Sequence, residues 1–371
     1  MKCIVIADNF KKALSVIERA IGKDPAIPIL SSYLISADKN TITITGTNLE
    51  IGIKISVRAS ISAPGQVVIP ARQLSGYIAT LQKDEKVTIE SEGNDAKIIT
   101  GTQETLFKGY PTEDYPPFPS IHALYGLTCK KNDIIDALAR TTFSSSKTTV
   151  KPELSSIYFL FEREVLTVAA TDSFRLSEEK IKPVGFSTKL SKTSFLLPTI
   201  SAEESARFLE YSDDETAEIS IGKGEAIITS SDAVLYSRLT EGTFPDYQQI
   251  IPQKFSTHLT VQRSQLVSHI RRASVFANKL SGITFSLTPK EKTLTLESKN
   301  AFGAHRASLH AEIQGEPLSM VFNYHYVLEG AESYKDETLF FGFNGDTQPL
   351  VMRSHKKDSS LYIVMPMKGG A

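Results

Sequence analysis

The chain has 371 residues, of which 41% are hydrophobic and 22% are charged, and this composition argues against a largely disordered protein. The length is sufficient for two or three domains that each bury a core. With 41 basic and 42 acidic side chains the net charge is −1, which argues against a protein that holds nucleic acid by bulk positive charge. Composition does not exclude a protein whose basic residues share one surface.

The sequence predicts a protein of the reducing cytoplasm. No run approaches the roughly 18 apolar residues that a membrane span needs. Residues 1–6 lack the apolar stretch and cleavage site of a signal peptide, and predict a first strand instead. The two cysteines, Cys3 and Cys129, are fewer than a secreted chain of this size usually carries. We expect both to be small buried residues rather than metal ligands.

The first hundred residues alternate between helix and strand patterns. Leu14, Ile17 and Ile21 have helical spacing, which predicts an amphipathic helix over residues 10–21. Residues 41–48 (TITITGTN) alternate apolar and polar side chains, as a half-buried strand ending in a turn does. A second helix is expected from Pro70, since a helix start does not need the N–H that proline lacks.

The same order of elements recurs twice along the chain. Residues 28–32 (PILSS) return as residues 152–156 (PELSS), at an offset of 152 − 28 = 124. The strand at 41–48 returns at 165–172, where 172 − 48 = 124, and at 293–300, where 300 − 48 = 252. The sequence therefore predicts three copies of one unit, each of ordinary domain size.

Helices, acidic turns and boundaries repeat with the strands. First helices are predicted over 133–140 and 262–275, and second helices begin near Pro198 and Phe322. Acidic turns at 83–86, 213–215 and 335–337 precede strands at 87–89, 217–219 and 339–341. Proline-rich stretches near 115–120 and 244–252 predict linkers, which divide the chain into domains 1–120, 121–252 and 253–371.

Motifs for catalysis are not found. The seven histidines are scattered, and the sequence has neither a His-Glu-x-x-His pair nor a Gly-x-Ser-x-Gly elbow. The segment 222–224 (GKG) predicts a β-turn rather than a phosphate loop. The carboxylates at 213–215 recur at the same place in all three copies, which favours a turn role over a metal site. We therefore predict a scaffold or binding protein without a cofactor, and tandem units that close head to tail make a ring.

Several segments resemble the bacterial β sliding clamp family, the beta subunits of DNA polymerase III. Residues 28–50 resemble the core of the family's first domain, and residues 170–176 (ATDSFRL) are similar to its Ala-Thr-Asp-Gly-His-Arg-Leu. Residues 241–247 (EGTFPDY) resemble its interdomain Gly-x-Phe-Pro-Asp-Tyr, and residues 362–367 (YIVMPM) resemble its Met-Pro-Met end. These segments occur in the family's order over essentially the whole chain.

The resemblance implies an α+β fold of three tandem DNA-clamp domains, each with two helices packed on antiparallel sheets, and a head-to-tail homodimeric ring. Twelve helices would line a hole around double-stranded DNA, which is encircled without sequence specificity. The implied protein is a processivity factor and not an enzyme. Its implied partners are the DNA polymerase III alpha subunit, the clamp loader, and other polymerases and repair proteins that carry clamp-binding motifs, with no membrane partner. A ring holds DNA without tight contacts, which agrees with the modest net charge.

Basic side chains are the candidates for DNA contact. On the helices they are Lys11, Lys12, Arg19, Arg72, Lys131, Arg140, Arg207, Arg263, Arg271 and Arg272. In loops the resemblance adds Lys23, Lys147 and Lys151. For each of them the alternative is a solvated helix face or loop without a DNA contact.

A groove that receives short peptide motifs is the second implied site. The matching positions are Leu154, Thr171, Ser173, Phe174, Arg175, Leu176, Pro245, Ile250, Ile363, Val364, Met365, Pro366 and Met367. An apolar groove accepts an extended peptide, and methionine adapts to several partners. Core packing is the alternative, chiefly for Leu154 and Ile363. The chain departs from the family at Ser173 and Phe174, where Gly-His is usual, and this predicts altered motif selectivity.

Subunit contacts are implied at Phe107, Val275 and Phe276, for which ordinary core positions are the alternative. Two rival functions remain. One is a clamp-like paralogue with a different choice of partners, which the altered Ser173 and Phe174 favour. The other is a multidomain hydrolase, which predicts a polar pocket holding a carboxylate or histidine with a perturbed pKa.

Overall fold

The computed structural model describes residues 1–22, 26–187, 191–252, 254–354 and 359–367. Within these ranges the chain forms six α-helices and 27 β-strands. The helices are α1 (Ala7–Ile17), α2 (Ala71–Ala79), α3 (Lys131–Thr141), α4 (Thr199–Tyr211), α5 (Arg263–Ser274) and α6 (Tyr324–Ser333). In the same ranges, no helix is long and apolar enough to cross a membrane.

The strands fall into three sets of nine within the described residues. The first set is β1 (Lys2–Ile6), β2 (Ser32–Asp38), β3 (Thr41–Thr47), β4 (Ile51–Arg58), β5 (Ser60–Ala63), β6 (Gly65–Pro70), β7 (Lys86–Glu92), β8 (Asp95–Thr100) and β9 (Gln103–Phe107). The second is β10 (Tyr125–Lys130), β11 (Ser156–Glu162), β12 (Val165–Thr171), β13 (Arg175–Ile181), β14 (Gly185–Phe186), β15 (Lys192–Pro198), β16 (Thr216–Ile221), β17 (Glu225–Ser230) and β18 (Ala233–Arg238). The third is β19 (Thr257–Gln262), β20 (Gly282–Thr288), β21 (Thr293–Asn300), β22 (Gly303–His310), β23 (Glu312–Gln314), β24 (Leu318–Asn323), β25 (Thr338–Phe343), β26 (Leu350–Ser354) and β27 (Ser360–Val364).

Each set contains the same elements in the same order, so the predicted triple repeat is confirmed. A strand precedes the first helix, five strands follow it, and three more follow the second helix. Helix α1 begins three residues earlier than predicted and ends at Ile17, because a short 3-10 turn at Glu18–Ala20 interrupts it. Helix α2 begins directly after Pro70, as the sequence predicts.

The described residues form two compact units by their internal contacts. The first unit comprises residues 1–135, 183–190 and 200–239, and the second comprises 136–182, 191–199 and 240–371. The division between the two units passes through the middle repeat. The boundaries expected at residues 120 and 252 therefore remain predictions, because the units follow the sheets and not the repeats.

The first unit contains two antiparallel sheets. Five strands are ordered β5-β1-β7-β8-β9, and nine strands are ordered β14-β10-β16-β17-β18-β4-β3-β2-β6. The larger sheet is continuous across two repeats, because β18 of the second repeat pairs with β4 of the first. Helix α1 buries Phe10, Leu14 and Ile17 in this unit.

The second unit follows the same plan. Nine strands are ordered β15-β11-β12-β13-β27-β26-β25-β19-β23, and four are ordered β22-β21-β20-β24. Here β27 of the third repeat pairs with β13 of the second. A sheet junction therefore always joins the last strand of one repeat to the fourth strand of the repeat before it.

One strand differs from its predicted pattern. The half-buried alternation expected for residues 165–172 is wrong for β12, in which every residue after Val165 is buried. The fully buried Ala169 packs in a cluster with Phe244 and Tyr247 of the segment that follows the second repeat. The alternation of polar and apolar residues reports only which face a side chain occupies, and a covering segment can bury both faces.

Candidate functional site

The pairing of β13 with β27 brings two predicted groove segments side by side. Leu176 lies opposite Ile363, and Arg175 lies opposite Val364. Beyond the strand ends, the Met365 amide donates to the Phe174 carbonyl at 2.8 Å. Residues separated by about half the sequence thus form one continuous surface.

The predicted groove residues divide into a floor and a rim. The buried members are Leu154, Thr171, Arg175, Leu176, Ile363 and Val364. The exposed or half-buried members are Ser173, Phe174, Pro245, Ile250, Met365, Pro366 and Met367. Phe174 is 60% exposed and Met365 is 37% exposed, whereas Leu176 is 2% exposed. Only the rim has apolar surface that a partner would cover.

The segment after the second repeat lies across this floor. Phe244 and Tyr247 share a buried cluster with Leu176 and Ile363. Pro245 and Ile250 lie on the same segment and face solvent. Leu154 is held elsewhere in the unit, in the loop before β11, where its carbonyl accepts from the Ser146 amide at 2.8 Å.

A polar turn presents Phe174 to solvent. The Ser173 amide donates to Thr171 Oγ1 at 3.1 Å, and the Phe174 amide donates to Asp172 Oδ1 at 2.9 Å. Ser173 has a φ of 78°, in the left-handed region that favours glycine. The first repeat has the same turn, with Leu49 at a φ of 74°. Side-chain acceptors in the turn stabilise this conformation, so Ser173 adopts it although it is not a glycine.

Arg175 is the most heavily engaged side chain of the groove. Its Nε donates to Asp172 Oδ2 at 3.0 Å, and its terminal nitrogens donate to the Glu329 carboxylate and the Phe143 carbonyl. The guanidinium also lies 4.6 Å from the ring centroid of Tyr326. Burial alone would lower the pKa of Arg175, but neighbouring Tyr362 and the two carboxylates outweigh it and raise the pKa.

A cleft of about 580 Å³ extends from Phe174 toward α6. Its lining includes Lys147, Asn323, His325, Tyr326 and Glu329. The last four are residues that sequence reasoning missed. Asn323 caps α6 and the other three lie in its first two turns, and no spacing in the sequence links them to residue 174.

The side chains predicted to contact DNA differ in their exposure to solvent. Those exposed to solvent are Lys11, Lys12, Arg19, Arg72, Lys147, Lys151, Arg207, Arg271 and Arg272. Lys23 lies outside the described residues. Lys131, Arg140 and Arg263 are half-buried and bonded to protein groups, for example Arg263 Nε to the Asp336 carbonyl at 3.0 Å.

Arg140 has a structural environment. Its guanidinium lies 5.3 Å from the Tyr334 ring centroid, donates to Ser360 Oγ at 3.1 Å and approaches Glu179 at 3.6 Å. These contacts join α3 to β13 and β27 in the second unit. They favour a packing role for Arg140 over a contact with DNA.

The residues predicted to contact a second subunit lie on or next to two edge strands. Phe107 ends β9 and packs edge-on against Tyr77, and only 8% of its surface is exposed. Val275 follows α5 and is 70% exposed. Phe276 is half-buried, and its ring stacks on His305 of β22 with 6.3 Å between the centroids. Among the described strands, β9 and β22 are edge strands of their sheets.

The remaining candidates have structural roles. Asp214 accepts hydrogen bonds from the amide and hydroxyl of Ser231 at 2.6 and 2.7 Å, which lower the pKa of its carboxyl. Its carboxylate therefore joins the turn after α4 to the turn between β17 and β18. Cys3 and Cys129 are buried as predicted. In the part of the chain that the structure describes, no group of three or more acidic, histidine or cysteine side chains has the placement of a metal site.

Comparison with known proteins identifies the family. Models of the N-terminal, central and C-terminal domains of the DNA polymerase III beta subunit match residues 1–119, 128–246 and 248–368. The chain belongs to the DNA polymerase III beta subunit family. Its α+β fold of three tandem clamp domains is therefore confirmed.

Relatives and solved structures of this family match the chain along its length. The beta sliding clamp of Synechococcus elongatus is 26% identical over 373 residues, covering 99% of each chain. That of Haemophilus influenzae is 25% identical and covers 99% of this chain and 100% of its own. The crystal structures of the Pseudomonas aeruginosa beta subunit and the Bacillus subtilis sliding clamp each superpose with a TM-score of 0.92, at 22% and 23% identity and with full coverage of both chains.

Proposed function

We propose that this protein is the sliding clamp of a DNA polymerase III, a processivity factor and not an enzyme. Two copies form a ring around double-stranded DNA and tether the polymerase alpha subunit. The clamp loader, other polymerases and repair proteins dock through the same peptide groove. The ring acts in the cytoplasm.

The ring is inferred from the way in which strands of neighbouring repeats pair edge to edge. Inside the chain, β18 pairs with β4, and β27 pairs with β13. The equivalent strands left over are β9, the last of the first repeat, and β22, the fourth of the third repeat. Pairing β9 of one copy with β22 of another continues the series, and two such junctions close a head-to-tail dimer.

Side chains beside these edges support the same pairing. In the junctions inside the chain, Ser237 lies opposite Ile51 and Val364 lies opposite Arg175. The equivalent residues at the open edges are Phe107 and Gly303. A side chain at Gly303 would meet the Phe276 ring at 3.0 Å, so glycine leaves room there for the partner's Phe107 to approach Phe276. This arrangement supports Phe107 and Phe276 as interface residues.

Encirclement is compatible with the modest net charge. A ring needs only weak, sequence-independent phosphate contacts, which leave it free to slide. The net charge of −1 is compatible with such contacts, provided that the exposed cations lie on one surface. We expect the exposed basic residues of the helices to contribute more than the engaged Arg140.

The groove supports the tethering role. Its rim offers Phe174, Ile250 and Met365 as exposed apolar groups above a floor of Leu176 and Ile363. A short extended peptide with apolar anchors would cover the rim, and we expect about micromolar affinity for one carrying a Gln-Leu-x-Leu-Phe motif.

Two measurements test this function. Light scattering should give twice the 40.8 kDa chain mass, and a labelled motif peptide should bind in a fluorescence anisotropy titration. The variant M365A should weaken peptide binding about tenfold and leave the dimer intact. The control V184A removes a comparably exposed aliphatic side chain outside the groove and should bind normally. Leu176→Ala is a poorer probe, because truncating a buried leucine costs about 2–5 kcal/mol of stability.

The outcomes separate the candidate functions. A monomeric mass at every concentration would overturn the ring. A dimer that binds no motif peptide would favour the specialised clamp-like paralogue, for which the exposed Phe174 is the supporting observation. Reverting that residue with F174H should then restore binding.

A further inference from the structure

In the proposed dimer, β9 of one copy pairs with β22 of the other in the same register as the two pairings between repeats inside the chain. Where β18 meets β4, Val234 lies opposite Lys54. Where β27 meets β13, Leu361 lies opposite Glu178. Lys54 and Glu178 are equivalent, since 178 − 54 = 124 is the offset between the first two repeats. Both junctions therefore align their strands in the same way.

On β22 the residue equivalent to Lys54 is Arg306. The offset is 306 − 54 = 252, the same that relates Asn300 to Asn48 at the preceding turns. Both hairpins keep this offset, because Thr47 lies opposite Gly52 and Lys299 lies opposite Ala304.

On β9 the residue equivalent to Val234 is Glu104. The hairpins β8–β9 and β17–β18 close on the pairs Thr100 with Gln103 and Ser230 with Ala233. These pairs set an offset of 230 − 100 = 130, and 234 − 104 equals the same 130. In the proposed dimer Glu104 of one copy thus lies opposite Arg306 of the other.

The charges around this position alternate in sign. Lys97 of β8 contacts Glu104 at 2.7 Å, and Glu297 of β21 contacts Arg306 at 3.0 Å. Joining the two edges produces the row Lys97, Glu104, Arg306, Glu297 across four strands. The side chains of Glu104 and Arg306 are 57% and 76% exposed, so both are accessible to a residue across the junction.

At the equivalent position the junctions inside the chain hold no charge pair, although Arg238 and Glu50 form one at 3.6 Å at the end of the junction between β18 and β4. One member of each is apolar, namely Val234 and Leu361. Strands of one chain are already connected and need no recognition, whereas separate molecules must select one another. Complementary charges at an interface supply that selection. The neighbouring positions are also compatible with this pairing, because Leu106 of one copy would lie opposite the small Ala304 of the other.

We propose that the ion pair between Glu104 of one copy and Arg306 of another determines the specificity of self-assembly. The proposal rests on the homodimeric ring put forward above. It assigns the recognition of a second copy of this chain to two residues that are exposed in each single copy.

A charge swap tests the pair. The dimer dissociation constant is measured by analytical ultracentrifugation for the wild type, E104R, R306E and the double variant E104R/R306E. Each single variant places like charges at both junctions of the ring and should raise the dissociation constant at least about tenfold. The double variant restores opposite charges with reversed sign and should return to within about threefold of the wild type. In an equimolar mixture of E104R with R306E, the heterodimer has one junction with the wild-type charges and one with the reversed charges. Both junctions are then attractive, so the mixture should dimerise about as well as the double variant.

Controls separate this proposal from the ring itself. E312R disrupts a similarly exposed ion pair with Lys292 on β23 and should leave the dissociation constant unchanged. Circular dichroism should show that every variant is folded. If the wild type dimerises and the single variants dimerise equally well, or if the double variant is not rescued, the ion-pair proposal fails and the ring stands. If the wild type never dimerises, the proposed ring fails first.

Discussion

The phenol of Tyr247 donates a 2.6 Å hydrogen bond to the buried carboxylate of Glu178 on β13. Lys180 contacts the other oxygen of the same carboxylate at 3.0 Å. Burial first, and the adjacent Glu178 second, raise the pKa of Tyr247, so the phenol stays protonated and continues to donate. This bond holds the segment after the second repeat against the strand that forms the groove floor.

Removing that hydroxyl should loosen the groove as well as the fold. Y247F leaves one oxygen of a buried carboxylate without its donor, and we expect a loss of about 1–3 kcal/mol in the free energy of unfolding, measured with urea. Peptide affinity should fall too, because Pro245 and Ile250 lie on the loosened segment. Y236F is the matched control, since it removes the Tyr236–Glu225 bond of 3.0 Å in the first unit. Equal peptide affinity in Y247F and Y236F would contradict this role.

Arg175 should be essential to stability. Its side chain is 5% exposed and balances Asp172 and Glu329. R175A leaves both carboxylates without that partner and should lower the free energy of unfolding by about 3–5 kcal/mol. Urea denaturation of R175A beside R272A, which removes an exposed arginine, measures the difference. A similar small effect in both variants would show that the network around Arg175 contributes little.

Phe174 should govern peptide selectivity without affecting stability. Because its side chain is 60% exposed, F174A should change the free energy of unfolding by no more than about 0.5 kcal/mol. The same change removes the largest apolar group of the rim and should weaken binding of the motif peptide about tenfold. Anisotropy titrations with F174A and F174H provide the measurement. Unaltered affinity and selectivity in both variants would place Phe174 outside the binding surface.

The buried thiols should make stability fall at alkaline pH. Burial raises the pKa of Cys3 to about 11 and that of Cys129 to about 12, from an ordinary value of 9.0. Below pH 9 the thiols are protonated in both the folded and the unfolded chain, so they do not reduce the free energy of unfolding. As the pH rises from 9 toward 11 and 12, the unfolded chain releases these protons first, so stability is lost.

A double variant isolates this effect from other alkaline titrations. We expect C3A/C129A to lose less stability than the wild type between pH 9 and 11 in parallel urea denaturations. Ellman's reagent should label neither thiol in the folded wild type at pH 8. Parallel pH profiles for the two proteins would show that the thiols do not contribute.

Local patterns were sufficient for the elements of the fold. The offsets of 124 and 252 predicted three repeats, and the helices near residues 10, 70, 133, 198, 262 and 322 all form. Helical and strand periodicities arise from neighbouring residues, so they are legible in a single sequence. The groove segments near residues 171–176 and 362–367 were found through motifs, which name residues without describing their burial. Leu176 and Met365 were predicted together, but one belongs to the core and the other to the rim.

The sequence by itself determined the repeat, the order of its strands and helices, and the family to which the chain belongs. Only the tertiary structure decided that β18 meets β4, that β27 meets β13, and that Arg175 meets Glu329, 154 residues away. These contacts depend on which edges and side chains the folded backbone brings together, and short-range periodicity carries no information about such distant partners. The same holds for the two edges left open at β9 and β22, since an unpaired edge is defined only when all other strands have found their neighbours.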